Sequence, residues 1–167
     1  MPDELIDAIA SPPPRAGPAP ETGPAMPHQQ LSQNAPPELQ EALFQRGAGL
    51  EGVRVGRSGV SVPGARAFLL DEALANGPPE AFMVGTEFAH LHPPYDGSLH
   101  LALPAEAAAG LERKGWGELH PLARMGVMPP TALMVFGPRD ADELEVVWAV
   151  LRASHAFARG LPAGQAT

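Results

Sequence analysis

Proline placement restricts this chain more than any other feature. Ten of its 21 prolines fall within the first 37 residues, including the run SPPPRAGPAP. A residue with no backbone N–H and a fixed φ suits neither a helix interior nor a sheet ladder, so residues 10–35 read as an extended, mobile arm. The preceding PDELIDAIA offers at most a helical turn or two. The arm either stays free or docks on a second copy of the chain, forming a homo-oligomer. It has few large side chains to bury, so ordering it costs more entropy than its contacts return. Deleting residues 1–34 is then expected to lower the melting temperature by only a few degrees. The segments follow as an arm over 1–35, a folded domain over 36–160 and a flexible tail over 161–167.

Periodicity within 36–160 alternates between strand and helix. NAPPELQEALFQRGAG places Asn34 as a cap, prolines in the first turn and Gly47 as a stop, which describes a helix. GVRVGRSGVSVPGARAFLL reads as two strands and a turn, AFMVGTEFAHLH and SLHLALP as strands, PAEAAAGLERKG as a short helix and TALMVFGP as a last strand. Asp140 and Glu143 open a long final helix. Leu144, Val147, Trp148, Leu151, His155 and Ala158 share one apolar stripe of it. His155 belongs to that core. Strands in a run followed by segregated helices predict a single α+β domain, with a mostly antiparallel sheet and helices packed on one face.

Composition removes several functions. Net charge is −8 with no cluster of basic residues, so neither nucleic acid nor an anionic membrane surface is an expected partner. The chain has no cysteine, which excludes thiolate catalysis and Cys-type zinc sites. No apolar run reaches the roughly 20 residues of a membrane span, and no signal peptide is apparent. A cytoplasmic protein acting on a small molecule is expected.

The chemistry concentrates in FAHLHPPYDGSLHLALP, residues 88–104. Side chains on a strand alternate faces, so Phe88, His90 and His92 project together, as do Ser98, His100 and Ala102. The leucines take the opposite face. PPYDG carries an Asp-Gly turn signal. With His92 paired to Ser98, His90 lies across from His100, and a one-residue slip would mix leucines with histidines. Three imidazoles on one face suit a metal, with Asp96, Glu87 or Glu118 adding a carboxylate. They equally suit metal-free acid–base work. A non-catalytic binding protein is a third reading. Asp96 either orients a histidine or only makes the turn. The later stretch KGWGELHPLARMGVMPP reads as an irregular surface segment, with Trp116 as a pocket wall or a loop anchor. Phe88, Tyr95 and Trp116 are the candidate substrate contacts. His100→Ala, on a polar face, is expected to cost on the order of 1 kcal/mol.

Three motifs in order, EFAHLHPPYDGSLHLAL, RKGWGELHPLA and PRDADELEVVWAVLRAS, resemble the fungal luciferase family over residues 82–158. The resemblance implies an oxygenase with no metal or organic cofactor and molecular oxygen as co-substrate, acting on a 3-hydroxy-2-pyrone through a cyclic peroxide. It implies that His90, His92, His100 and His120 handle protons, with Asp96 beside them.

Overall fold

The computed structural model describes residues 12–23 and 27–161. The expected early turn of helix and the end of the chain beyond 161 lie outside the described residues. A small pair of strands comes first, β1 (Thr22–Gly23) and β2 (Gln29–Gln30), then α1 (Pro37–Ala48). β3 (Val53–Arg57), β4 (Arg66–Leu70), β5 (Glu87–Leu91) and β6 (Leu99–Ala102) follow. α2 (Ala105–Arg113), β7 (Gly117–Leu119), α3 (Pro121–Arg124), β8 (Ala132–Val135) and α4 (Ala141–Arg159) complete the domain. Six strands form one sheet in the order β3-β4-β5-β6-β8-β7, every pair antiparallel. This is the expected α+β architecture. No described helix is long and apolar enough to cross a membrane.

The two faces of the sheet differ because each strand alternates. One cross-strand row reads Phe68, Ala89, Leu101, Leu133, Leu119. It packs with Leu43 and Phe44 of α1, Leu111 of α2, and Leu144, Val147 and Leu151 of α4 in a single apolar cluster. The helices therefore cover the leucine face. Leu101 is fully buried at its centre. Leu101→Ala is expected to destabilise by about 2–5 kcal/mol, read as a shifted midpoint in chemical denaturation. A loss under about 1 kcal/mol would mean that the core closes over the cavity.

The next row reads Ala67, His90, His100, Met134, Glu118. His90 stands directly across from His100, and His92 N–H donates to Ser98 O at 2.9 Å. The expected register holds. Gly97, at φ +78°, makes the Asp-Gly turn that closes this hairpin.

Several expectations need correction. Asn34 does not cap α1, whose N-cap is Pro36 with no side-chain bond. Its amide instead donates to Gln30 O and Asp96 O. The stretch expected to be irregular contains β7 and α3, because Gly117–Leu119 finds an open edge on β8. Phe88 leaves the histidine face. Phe68 pairs with Ala89 but Leu69 pairs with Glu87, so Phe88 is the extra residue of a β-bulge. The bulge turns Phe88 into the core beside Phe68 and His155. Glu87 takes its place among the histidines.

The largest correction concerns the arm. Residues 12–23 and 27–35 are not a free leader: they lie along the domain as a strap. Lys114 Nζ donates to Pro12 O at 2.8 Å and Trp116 Nε1 to Pro13 O at 2.9 Å. Arg15 N–H donates to Lys114 O, and its guanidinium sits 5.3 Å from the Phe136 ring centroid. Arg139 Nη2 donates to Ala16 O at 2.7 Å. Proline explains the arrangement. Extended, proline-stiffened chain has little freedom left to lose, and its carbonyls remain acceptors for side chains of the domain.

Candidate functional site

Among the described residues the strap covers the histidine face, which is largely closed to solvent. His90, His92 and His100 are only 4%, 3% and 5% exposed. A surface groove of about 580 Å³ exists elsewhere, lined by Gly52, Arg54, Leu70, Asp71 and Thr86. None of the histidines lines it.

On the covered face the side chains form a continuous hydrogen-bonded chain. His92 Nδ1–H donates to Asp96 Oδ2 at 2.7 Å. His92 Nε2 faces His100 Nδ1 at 2.9 Å, and His100 Nε2 faces His28 Nδ1 at 3.0 Å. His28 Nε2 reaches Glu118 Oε1 at 2.6 Å. His28 comes from the strap, just before β2. Its position follows from register: His100 and Glu118 lie in one row with Met134 between them. Two strand spacings of about 4.8 Å separate their backbones, too far for a direct bond. An imidazole laid across Met134 bridges that gap.

Both ends of the chain are anchored. Asp96 also accepts from Ser98 Oγ at 2.6 Å and from the backbone N–H groups of Ser98 and Gln30. It therefore makes the turn and orients a histidine at once. Burial alone would raise its pKa, but the His92 and Ser98 hydrogen bonds outweigh this and leave it below the ordinary carboxylate value. Glu118, half-buried, accepts from Thr22 Oγ1 at 3.0 Å.

His90 stands beside this chain. Its ring is 5.3 Å from that of His92 and nearly parallel to it. His90 Nδ1–H donates to Glu87 Oε2 at 2.8 Å. Burial acts to raise the pKa of Glu87, yet bonds from His90, Gly59 N–H and Ser58 Oγ bring it below the ordinary value. Burial pushes the pKa of His90 down, and Glu87 only partly offsets this. A neutral ring held at Nδ1 by a carboxylate presents a bare lone pair at Nε2.

His120 caps α3, its Nδ1 accepting from Leu122 N–H at 3.1 Å. The neutral ring therefore carries its proton on Nε2. Burial, then the neighbouring His28 and His90, bring its pKa down to about 4. Its ring lies 5.1 Å from His28 and 5.5 Å from His100. His100 is held well below 6.5, first by burial and then by the rings of His90, His92, His28 and His120.

Of the expected substrate contacts none lines this cluster. Phe88 is in the core, Trp116 anchors the strap, and Tyr95 is 64% exposed at the turn, where it accepts from Gln29. His155 is a core residue bonded to Glu51 O. His28 escapes sequence reading because its partner is 72 residues away and no periodic pattern surrounds it. The stability expectation for His100 also changes. His100→Ala leaves His92 Nε2 and His28 Nδ1 without partners in a buried setting, which raises its cost from about 1 to roughly 2–4 kcal/mol.

Ligating nitrogens of His90, His92 and His100 lie within 4.8 Å of one another, as do those of His28, His100 and His120. An ion at either place would withdraw lone pairs already engaged between His92, His100 and His28.

Residues 85–154 match the luciferase domain family. That stretch holds Glu87, His90, His92, Asp96, His100, Glu118 and His120, while His28 and Thr22 lie outside it. The chain is 43% identical over 81 residues to the luciferase of Armillaria mellea and 42% identical over 81 residues to that of Neonothopanus nambi. In both cases the match covers 47% of this chain and 30% of the relative. This chain thus resembles the fungal luciferases through the luciferase domain, and spans under a third of their length. No solved structure matches it.

Proposed function

We propose that this chain is a cofactor-independent, luciferase-like oxygenase acting on an enolisable hydroxy-pyrone-type or related small aromatic substrate, with molecular oxygen as co-substrate. The observation that carries the reading is His90. It is held at Nδ1 by Glu87 at 2.8 Å, makes no hydrogen bond at Nε2 among the described residues, and lies within the stretch that matches the luciferase domain. An imidazole so held is a general base at neutral pH. It takes the proton of an enolic hydroxyl, and the resulting anion is electron-rich enough to pass an electron to dioxygen. The Nε2–H of His120 is the matching donor for the developing oxyanion. Glu118 and His120 are the half-exposed members of the cluster, so substrate enters on their side. The strap opens for a ring-sized substrate and closes to keep water from a peroxide.

The test is oxygen uptake with a 3-hydroxy-2-pyrone. His90→Ala is expected to lower turnover roughly 100-fold or more in protein that remains folded by circular dichroism. Undiminished turnover in folded His90→Ala protein would remove His90 as the base. Elemental analysis is expected to find no stoichiometric metal. About one zinc or iron per chain, with activity lost on chelation, would replace this reading with a metal-dependent one.

A further inference from the structure

We propose that Asp96, His92, His100, His28 and Glu118 form a proton relay that holds one excess proton and conducts it between the buried turn and the protein surface. The chain contains four hydrogen bonds, Asp96–His92, His92–His100, His100–His28 and His28–Glu118. Each needs one proton between its two heavy atoms. Three neutral imidazoles supply three protons, and two ionised carboxylates supply none. With only three protons, one link would set a lone pair against a lone pair, and at the outer end that link is 2.6 Å long. The fourth proton makes one ring an imidazolium.

Three arrangements satisfy every link, and two of them place the cation beside a carboxylate. In the first, His28 is doubly protonated against Glu118, while His100 and His92 each carry a proton on Nδ1. In the second, His92 is doubly protonated against Asp96, while His100 and His28 carry theirs on Nε2. Moving one proton across each of the two ring–ring bonds converts one into the other. Charge moves from the surface end to the buried end, and no atom is gained or lost. In these two the cation rests beside a carboxylate and the middle ring, His100, stays neutral; the third, with His100 doubly protonated, His92 protonated on Nδ1 and His28 on Nε2, is the step between them. Burial and the neighbouring rings depress His100; burial also depresses His28, with Glu118 only partly offsetting it.

The surroundings permit such movement. His90 faces the relay from β5 with Glu87 behind it, and His120 faces it from the start of α3. Neither hydrogen-bonds to the three rings. Thr22 donates to Glu118 from β1. His28 closes the circuit and lies outside the luciferase domain stretch, so the strap decides whether the relay reaches the surface. The relay stands on hydrogen-bond geometry and does not depend on which substrate the domain turns over.

Nitrogen NMR of the full chain labelled at histidine reads the protonation state of each ring nitrogen. At pH 7.5 a free imidazole is about nine-tenths neutral, yet His28, His92 and His100 together are expected to carry one full imidazolium equivalent. In Glu118→Gln the carboxamide N–H supplies the proton for the outer link. That variant is expected to lose the imidazolium equivalent, leaving all three rings neutral with the proton on Nδ1. Three neutral rings in the unaltered protein would place the fourth proton on Glu118 and overturn the relay. So would an unchanged histidine spectrum in Glu118→Gln. The count in the unaltered protein decides the matter even if the variant fails to fold.

Discussion

Deleting residues 1–34 is expected to destabilise the domain by on the order of 5 kcal/mol, several times what a disordered leader would cost. Each lost strap contact is modest, about 1 kcal/mol for a hydrogen bond, but they are many and concentrated. Trp116 Nε1, Lys114 Nζ and Arg139 Nη2 lose their carbonyl partners. Gly137 N–H loses Gln30 Oε1, and Asp96 loses the Gln30 N–H. His100 and Glu118 lose His28. Phe136, now under Arg15, meets water. For a domain of this size the loss corresponds to roughly 20 °C in melting temperature. Calorimetry of the truncated chain decides it: a drop of only a few degrees would restore the mobile arm.

Acidification is expected to be nearly as damaging. His90 and His100 have folded pKa values below their ordinary 6.5, chiefly through burial. Below that pH the unfolded chain takes up protons on these imidazoles while the folded protein does not. The unfolded state binds more protons, so stability falls as pH falls. Each ring that stays neutral contributes about 1.4 kcal/mol per pH unit below 6.5. The loss is shared by His90 and His100 and draws on the roughly 5–15 kcal/mol typical of a domain. The carboxyls of Glu87 and Asp96, held below their ordinary values of 4.5 and 3.8, add losses of the same sign at lower pH. Urea denaturation at pH 6.5 and pH 5, below the range in which a relay proton adds stability of the opposite sign, checks this. Equal midpoints would mean that the buried rings accept protons without cost.

What the residues determine on their own is local and periodic. Alternation in residues 88–104 sets leucines against histidines, and a register that mixed them would bury charge in the core. That suffices to predict His90 opposite His100. The stripe from Leu144 to Ala158, with Asp140 accepting from Glu143 N–H at its start, marks the last helix for the same reason. The three motifs resembling fungal luciferases also lie in contiguous sequence. Tertiary structure decided the rest, wherever no period exists to read. A β-bulge exchanges Phe88 for Glu87 on the histidine face, because an extra residue resets alternation without any mark in the residues themselves. Trp116 serves the strap because Pro13 presents a carbonyl to it. His28 becomes part of the site only because an aperiodic, proline-stiffened segment must find its hydrogen bonds on the domain. The two strand spacings between His100 and Glu118 leave room there for one more imidazole.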